Sequence, residues 1–476
     1  MKGVLIFLFL FFCFTLSAQE RNNTLQLYNI NVVNVMDGSV KTNQSVIVES
    51  GKIKTVEPFK SIDRSIAASQ RIDGKDKFLI PGLWDMHIHL EGAELIEDNK
   101  ALLPVFLAYG ITSVRDCASD LGEQVLGWRQ EIKDGKLTGP NLFTAGSKLE
   151  GKNSIWKGDL EIENEKELGL MLDRLDNYKV DFVKITENTL KGDLFLESVK
   201  QAHSRGYRVS GHVPLDLTIQ ELVDAGFTSV EHATYLLRLG SDERSIKQDL
   251  VNGKIDKAEA EARYTREFDQ QRAITNYNSL GKEGLFVCPT LIGGRQLAYL
   301  DETDHSKDPF LQYLTKKFVS NYQWRIDRMA NETATQRQQR KERYRFLLSQ
   351  LPLVQNSGIR IIAGSDAAAL NTYVYPAESL IQELEIFREA GLTPLQILQA
   401  ATINGATYFG IEDTTGSIDK GKNADLVVPN DNPLENIKAI RNVNSVIVRG
   451  EYYNRTALDQ MLDKAKQTKA ALDKQR

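Results

Sequence analysis

The chain has 476 residues, 41% of them hydrophobic and 26% charged, the balance of an ordinary globular protein long enough for one large domain and a smaller one. Its net charge of -5 carries no basic excess, which argues against nucleic acid or an anionic membrane as partner and for a small molecule.

The first residues read Lys2, an apolar run Val4 to Leu16, then Leu-Ser-Ala18 before Gln19. That is a charged start, a hydrophobic core and a small-residue cleavage site, too short to span a bilayer. Residues 1–18 are therefore expected to be a signal peptide. An uncleaved anchor is the alternative, and a lipoprotein is disfavoured because Cys13 lies inside the apolar run. The mature protein is expected to be periplasmic or extracellular and free of the membrane. Its two remaining cysteines, Cys117 and Cys288, are too few and too far apart for a disulfide framework. Both are read as buried thiols.

Residues 25 to 80 are short β-type runs broken by Asp37-Gly38 and Ser50-Gly51. The far end, Gly416 to Tyr453, is of the same kind, and Val446-Ile-Val448 before a Gly turn echoes Val46-Ile-Val48. One small β domain built from both termini is expected, residues 19–80 and 416–456, with the large domain, 81–415, inserted. Residues 457–476 read as a charged, fraying helical tail. Between the ends, β-type runs alternate with helical stretches: Phe78–Leu83, Ile111–Asp116, Asn141–Ala145, Asp181–Thr186, Arg208–His212, Ser229–Ala233, Leu285–Thr290 and Ile359–Ala363. These runs predict an α/β fold, a parallel (β/α)8 TIM-like barrel whose chemistry sits at the C-terminal strand ends. Two overlong connections, 235–284 and 291–358, leave from strand C-termini and are expected to wall that face.

Histidine is scarce, with six in the chain, and it recurs at those strand ends. His87 and His89 in Asp85-Met-His-Ile-His89 are one residue apart, so a strand projects both the same way. His212 ends Arg208–His212, and His232 follows it by 20 residues, one strand-helix-strand step. Lys184 lies in the apolar Asp181-Phe-Val-Lys-Ile185 pointing into the barrel mouth, costly for a cation unless paired. Asp366 follows the last strand in Ile361-Ile-Ala-Gly-Ser-Asp366. Singly each histidine would read as structural; together with the carboxylate they read as a metal site.

The set resembles the amidohydrolase superfamily along nearly the whole mature chain. The opening Leu79-Ile-Pro-Gly-Leu-Trp-Asp-Met-His-Ile-His89 is similar to the family's signature. So is the close: Glu383-Leu-Glu-Ile-Phe-Arg-Glu-Ala-Gly-Leu-Thr-Pro394, Ala400-Ala-Thr-Ile-Asn-Gly-Ala406 and Gly416 to Val428. Within it, Asp181-Phe-Val-Lys-Ile185 and Pro289-Thr-Leu291 resemble the exported branch of imidazolonepropionases and metal-dependent prolidases. The resemblance implies the barrel plus a β-sandwich domain from both termini. Two departures stand out. Leu380-Ile-Gln-Glu-Leu384 lacks a histidine that relatives often carry, and Pro429 interrupts an apolar run read as an edge strand.

It further implies two divalent metal ions, zinc by preference, with N-carboxylysine at Lys184 as the bridge. His87, His89 and Asp366 would hold one ion, His212 and His232 the other. A metal-bridging hydroxide would attack the carbonyl while Asp366 takes and returns the proton. Tyr235 would stabilise the oxyanion or hold a substrate carboxylate, with an outward packing tyrosine as the alternative. Arg238 and Arg295, near their strand ends, offer forks for a carboxylate, against the alternative of surface ion pairs. The expected activity is hydrolysis of an amide C–N bond in a dipeptide or N-acyl amino acid. The alternatives are a mononuclear imidazolonepropionase-like hydrolase or deaminase acting on a ring C–N bond, and a catalytically inactive binding or assembly protein on the same fold. A homo-oligomer is left open.

Overall fold

A computed structural model describes residues 24–476; the expected signal peptide lies outside them. The run expected as the first barrel strand divides at Gly82. Phe78–Pro81 pairs with the terminal strands, while Leu83–Ile88 opens the barrel. Glycine is required at the division, because a Cβ there would lie 1.9 Å from the Thr112 hydroxyl.

The barrel strands are Leu83–Ile88, Ile111–Asp116, Asn141–Thr144, Val183–Ile185, Val209–Gly211, Phe227–Glu231, Phe286–Cys288 and Arg360–Ile361. Neighbours pair in parallel within two groups. Backbone hydrogen bonds carry the ring across the gaps: Asp181 donates to Thr144 at 2.9 Å on one side, Met86 to Ala363 and His89 to Ala367 at 2.8 Å on the other. The result is a TIM-barrel-like α/β fold. Most strands are shorter than the apolar runs that announced them, because the ends of those runs turn away to present side chains.

Strands from the two chain ends join in one eight-stranded sheet. Its apolar interior includes Leu27, Ile30, Val46 and Leu79 from the N-terminal side and Leu426, Val428 and Ile447 from the C-terminal side. The strand Leu426–Pro429 is not an edge strand, for it is paired on both flanks. Pro429 is accommodated because it ends the strand, at a register shift. Nor does the C-terminal helix Arg455–Gln475 fray. Leu458 and Ala465 are buried, and Arg476 pairs with buried Asp98 at 2.7 Å.

Both long connections are helical. The first packs beside the barrel, with Ala273 and Tyr277 of its helix Gln270–Lys282 in the core. The second brings Asn321 and Arg325 to the mouth. A third excursion was not anticipated: short strands Leu149–Gly151 and Leu160–Ile162 frame a loop that sets Trp156 on the same mouth.

Candidate metal centre

The C-terminal end of each contributing strand delivers one or two polar side chains to a common cavity of about 380 Å³, lined by His89, Lys184, His212, His232, Asp366 and Arg325 among others. His87 adjoins it, its Nε2 lying 3.2 Å from that of His89 and 3.4 Å from Asp366 Oδ1. His89 Nε2 is 3.2 Å from the same oxygen. On the other side His212 and His232 bring their Nε2 atoms within 3.2 Å. His87 and His232 link the pairs, their ring centroids 5.0 Å apart. All six residues expected as ligands therefore meet at one place.

Each imidazole is oriented through its other nitrogen. His87 Nδ1 meets Glu231 Oε2 at 2.7 Å, and His89 Nδ1 meets the Ala118 carbonyl at 2.9 Å. His212 Nδ1 meets Glu187 Oε2 at 2.8 Å, and His232 Nδ1 meets Thr290 Oγ1 at 2.7 Å. Oxygen partners assign the Nδ1 protons outward, so within each pair two Nε2 lone pairs face one another. A proton or a cation must lie between them, and histidines tied back in this way are the usual arrangement around a metal. Burial, with the Lys184 charge second, pulls His87 down to about 4, and burial holds His232 well below the ordinary imidazole value. Neutral imidazole is the ligating form. Burial also lowers His89, but the Asp366 carboxylate outweighs it and the net shift is upward.

Lys184 is 2% exposed, and its Nζ has no hydrogen-bond partner. A buried cation without a hydrogen-bond partner beside four imidazoles is unfavourable, and the surrounding donor set is one that could hold a metal ion. Burial works against the Asp366 carboxylate, yet the His87, His89 and His232 side chains around it hold it well below the usual carboxylate range. Backbone strain gathers here too. Ala118, His232, Thr290 and Asp366 all take positive φ, between 48° and 105°, a conformation that persists only where the surroundings impose it. Asp366 is fixed by its N–H on the His87 carbonyl at 2.7 Å and by Asn371 Nδ2 donating to its own carbonyl at 2.6 Å.

Several residues of the site were not anticipated. Glu231 accepts from Arg115 Nη2 at 2.8 Å on both oxygens, as well as from His87, and all three side chains are buried. Burial opposes its ionisation, but Arg115 and then Lys184 hold it far below the usual range. The Arg115 Nε also donates to the Met86 carbonyl at 2.5 Å. Two local signals pointed to this pair: an arginine inside Ile111–Asp116 and a glutamate just before His232. Glu150 gathers the turn after Lys184 by accepting from the Thr186, Asn188, Thr189 and Leu190 donors at 2.8–3.1 Å. Glu383 accepts from the Leu291 and Ile292 N–H groups at 2.8 and 2.6 Å, fixing the turn that carries Thr290.

The three residues expected to touch substrate fare differently. The Tyr235 hydroxyl donates to Glu187 Oε1 at 2.7 Å, which ties it to His212 through one carboxylate. Arg238 does not reach the cavity. It is 3% exposed, its guanidinium donates to the Val213, Pro214 and Leu217 carbonyls, and its Nε pairs with Glu243 at 2.8 Å. Arg295 also faces elsewhere, paired with Glu389 at 3.0 Å beside Tyr299 and Glu302. The arginine that does line the mouth is Arg325.

Comparison with known proteins agrees with this geometry. The sequence model of the amidohydrolase family matches residues 347–452. Ochratoxinase of Aspergillus niger is 23% identical over 442 residues, covering 86% of this chain and 82% of that protein. Among solved structures, a putative prolidase from Bifidobacterium longum superposes with a TM-score of 0.65 at 21% identity, covering 93% of this chain and 99% of its own. A Xaa-Pro dipeptidase with methionine bound in its active site gives 0.65 at 20%, covering 90% and 100%. Residues 347–452 thus carry amidohydrolase-family sequence, and along its length the chain has the barrel and β-rich domain of these structures.

Proposed function

We propose that the protein is an exported metal-dependent hydrolase of the amide bond in a dipeptide or N-acyl amino acid. The observation that carries this reading is the buried Lys184 amine, without a hydrogen-bond partner on the cavity that the two facing histidine pairs adjoin. As a carbamate, that nitrogen would present two anionic oxygens where the ammonium presents an unpaired charge. His87, His89 and Asp366 form a group able to hold one ion; His212 and His232 would hold the second, with carboxylated Lys184 shared. Zinc suits these ligands. Two divalent ions supply Lewis acidity, polarising a carbonyl and acidifying water. The chain itself does the rest. Asp366, kept ionised, accepts a proton from the attacking water and returns it to the departing nitrogen. Glu231, Glu187 and Thr290 hold the imidazoles in register, and the Tyr235 hydroxyl holds Glu187.

A mononuclear ring hydrolase needs no bridge and would leave Lys184 an unpaired buried cation, so the dinuclear reading is preferred. The similarity to ochratoxinase and to dipeptidases supports an amide substrate. On this reading residues 19–80 and 416–456 form a β-sandwich unit around the 81–415 barrel, followed by the 457–476 tail. Among the described residues no helix is long and apolar enough to cross a membrane.

The test is direct. Protein equilibrated with ¹³C-bicarbonate should give a carbamate carbon resonance that Lys184→Ala abolishes, together with a drop from two bound ions towards one and loss of turnover. Short carboxylic acids should partly restore activity to the variant. An unmodified Lys184 in protein carrying two ions would rule the bridge out.

A further inference from the structure

A second chamber, of about 360 Å³, shares His232, Arg325, Asp366 and Asn371 with the first and none of the other expected ligands. Its far wall is the helix Leu291–Ala298, in the middle of which stand Gly293 and Gly294. Glycine weakens a helix interior, and neither residue takes the left-handed backbone that would call for it. No close approach calls for it either. A Cβ on Gly293 would meet only the Val374 side chain, at 3.9 Å, and one on Gly294 only the Tyr344 ring, at 3.6 Å. Val374 and Tyr344 are themselves walls of the chamber, so a side chain at either glycine would enter its space. What the paired glycines preserve is room.

The electrostatics of the two spaces differ. The first cavity is lined by acids and bases alike, Glu91, Glu94, Asp120 and Asp159 with Lys148, Lys157 and Lys184, besides Asp366 and Arg325, whereas the only acid on the second among the described residues is Asp366, facing Arg325, Arg340 and Arg343. Arg340 is paired with Glu332. Arg325 donates from Nη2 to Asn371 Oδ1 at 2.5 Å, and its buried Nε has no hydrogen-bond partner. A free carboxylate is therefore drawn to the second space, where basic residues outnumber acids and Arg325 offers an unpartnered donor. Asp366 borders both, and as the group that returns a proton to the departing nitrogen it places that nitrogen at their boundary.

We infer that the second chamber receives the amine half of the substrate, an amino-acid unit whose bulky apolar side chain lies over Gly293 and Gly294 and whose carboxylate pairs with Arg325. This rests on the amide-hydrolase reading above and specifies its substrate. Leu297, Leu347 and Val374 supply the apolar contact. Arg325 sits on the helix Gln323–Met329 of the second long connection, against the face of Trp324 at 4.9 Å, so the connection contributes selectivity as well as cover.

The experiment compares N-acetyl-L-phenylalanine with N-acetylglycine as substrates for wild type, Gly293→Leu and Gly294→Leu, and titrates L-phenylalanine calorimetrically as the released product. Filling the chamber should lower the ratio of kcat/KM for the phenylalanine over the glycine substrate by about tenfold or more, and should weaken L-phenylalanine binding in parallel. Arg325→Met should weaken L-phenylalanine more than L-phenylalaninamide. Should the leucine variants fail to fold, Gly293→Ala and Gly294→Ala, which a helix favours, make the same comparison with a smaller shift in the same direction. Hydrolysis of both substrates with an unchanged ratio in the filled variants overturns the chamber alone. If wild type hydrolyses neither substrate but binds L-phenylalanine, and the filled variants lose that binding, the amide reading falls and the chamber stands.

Discussion

Replacing Glu231 by glutamine separates the electrostatic support of the site from its packing. The side chain keeps its volume, but its amide nitrogen is a donor, and the groups around it, Arg115 Nη2, His87 Nδ1 and the Ser229 hydroxyl, all approach the native carboxylate as donors at 2.7–2.8 Å. At least one donor is left facing another. Arg115 remains charged and buried, with the Phe182 and Tyr408 ring centroids 5.1 and 4.7 Å away and no other acid bonded to it. Breaking one side of a fully buried pair costs about 3–5 kcal/mol. With an unfolding entropy of roughly 2.1 cal/mol/K per residue, a chain of this length should lose about 3–5 °C in Tm. His87 would also lose the acceptor that fixes its tautomer, which should weaken metal binding by about 10–100-fold. Thermal unfolding in the presence of chelator isolates the first effect, and competition with a chromophoric chelator reads the second. A variant with wild-type Tm and metal affinity within about twofold would refute the reasoning.

Three further outcomes follow from the same structure. Glu150 is buried but accepts enough hydrogen bonds to lie below its ordinary value of 4.5, so its stabilisation is complete above that pH and is lost as pH falls through the lowered value; the stability gap between wild type and Glu150→Gln, measured by urea unfolding, should be constant at neutral pH and narrow in acid. Arg238→Met should destabilise by about 3–5 kcal/mol, because Glu243 is left buried and unpaired, whereas Arg295→Met, at a half-buried surface pair with Glu389, should cost no more than about 1 kcal/mol and neither should change the preference for a free carboxylate on an acid and carboxamide pair. Recovered mature protein should begin at Gln19, read by intact mass; an intact leader on protein from the soluble cytoplasm would count against export.

The strand-end histidines, Lys184 and Asp366 were legible in the sequence because the information that places them is local. Alternation within a strand sets His87 and His89 on one face, and an apolar run containing a single lysine says that its side chain points inward. The barrel was legible for the same reason, from repeated short apolar runs at helix-length spacing, although Gly82 and Pro429 show how runs misjudge where a strand belongs. What holds the histidines was not legible. Glu231 meets Arg115 across 116 positions and His87 across 144, and sequence distance carries no record of which strands become neighbours on closing a ring. The arginines show the same limit. Arg238, Arg295 and Arg325 all lie in long connections after strand ends, yet one is drawn under the chain by three carbonyls and a carboxylate, one pairs outward with Glu389, and one overhangs the mouth. A long flexible side chain takes the direction of its strongest partners, and those partners are assembled only by tertiary packing. Gly293 and Gly294 are the clearest case: the sequence gives no reason for a glycine pair there, and only the walls opposite them reveal that the missing side chains leave a chamber.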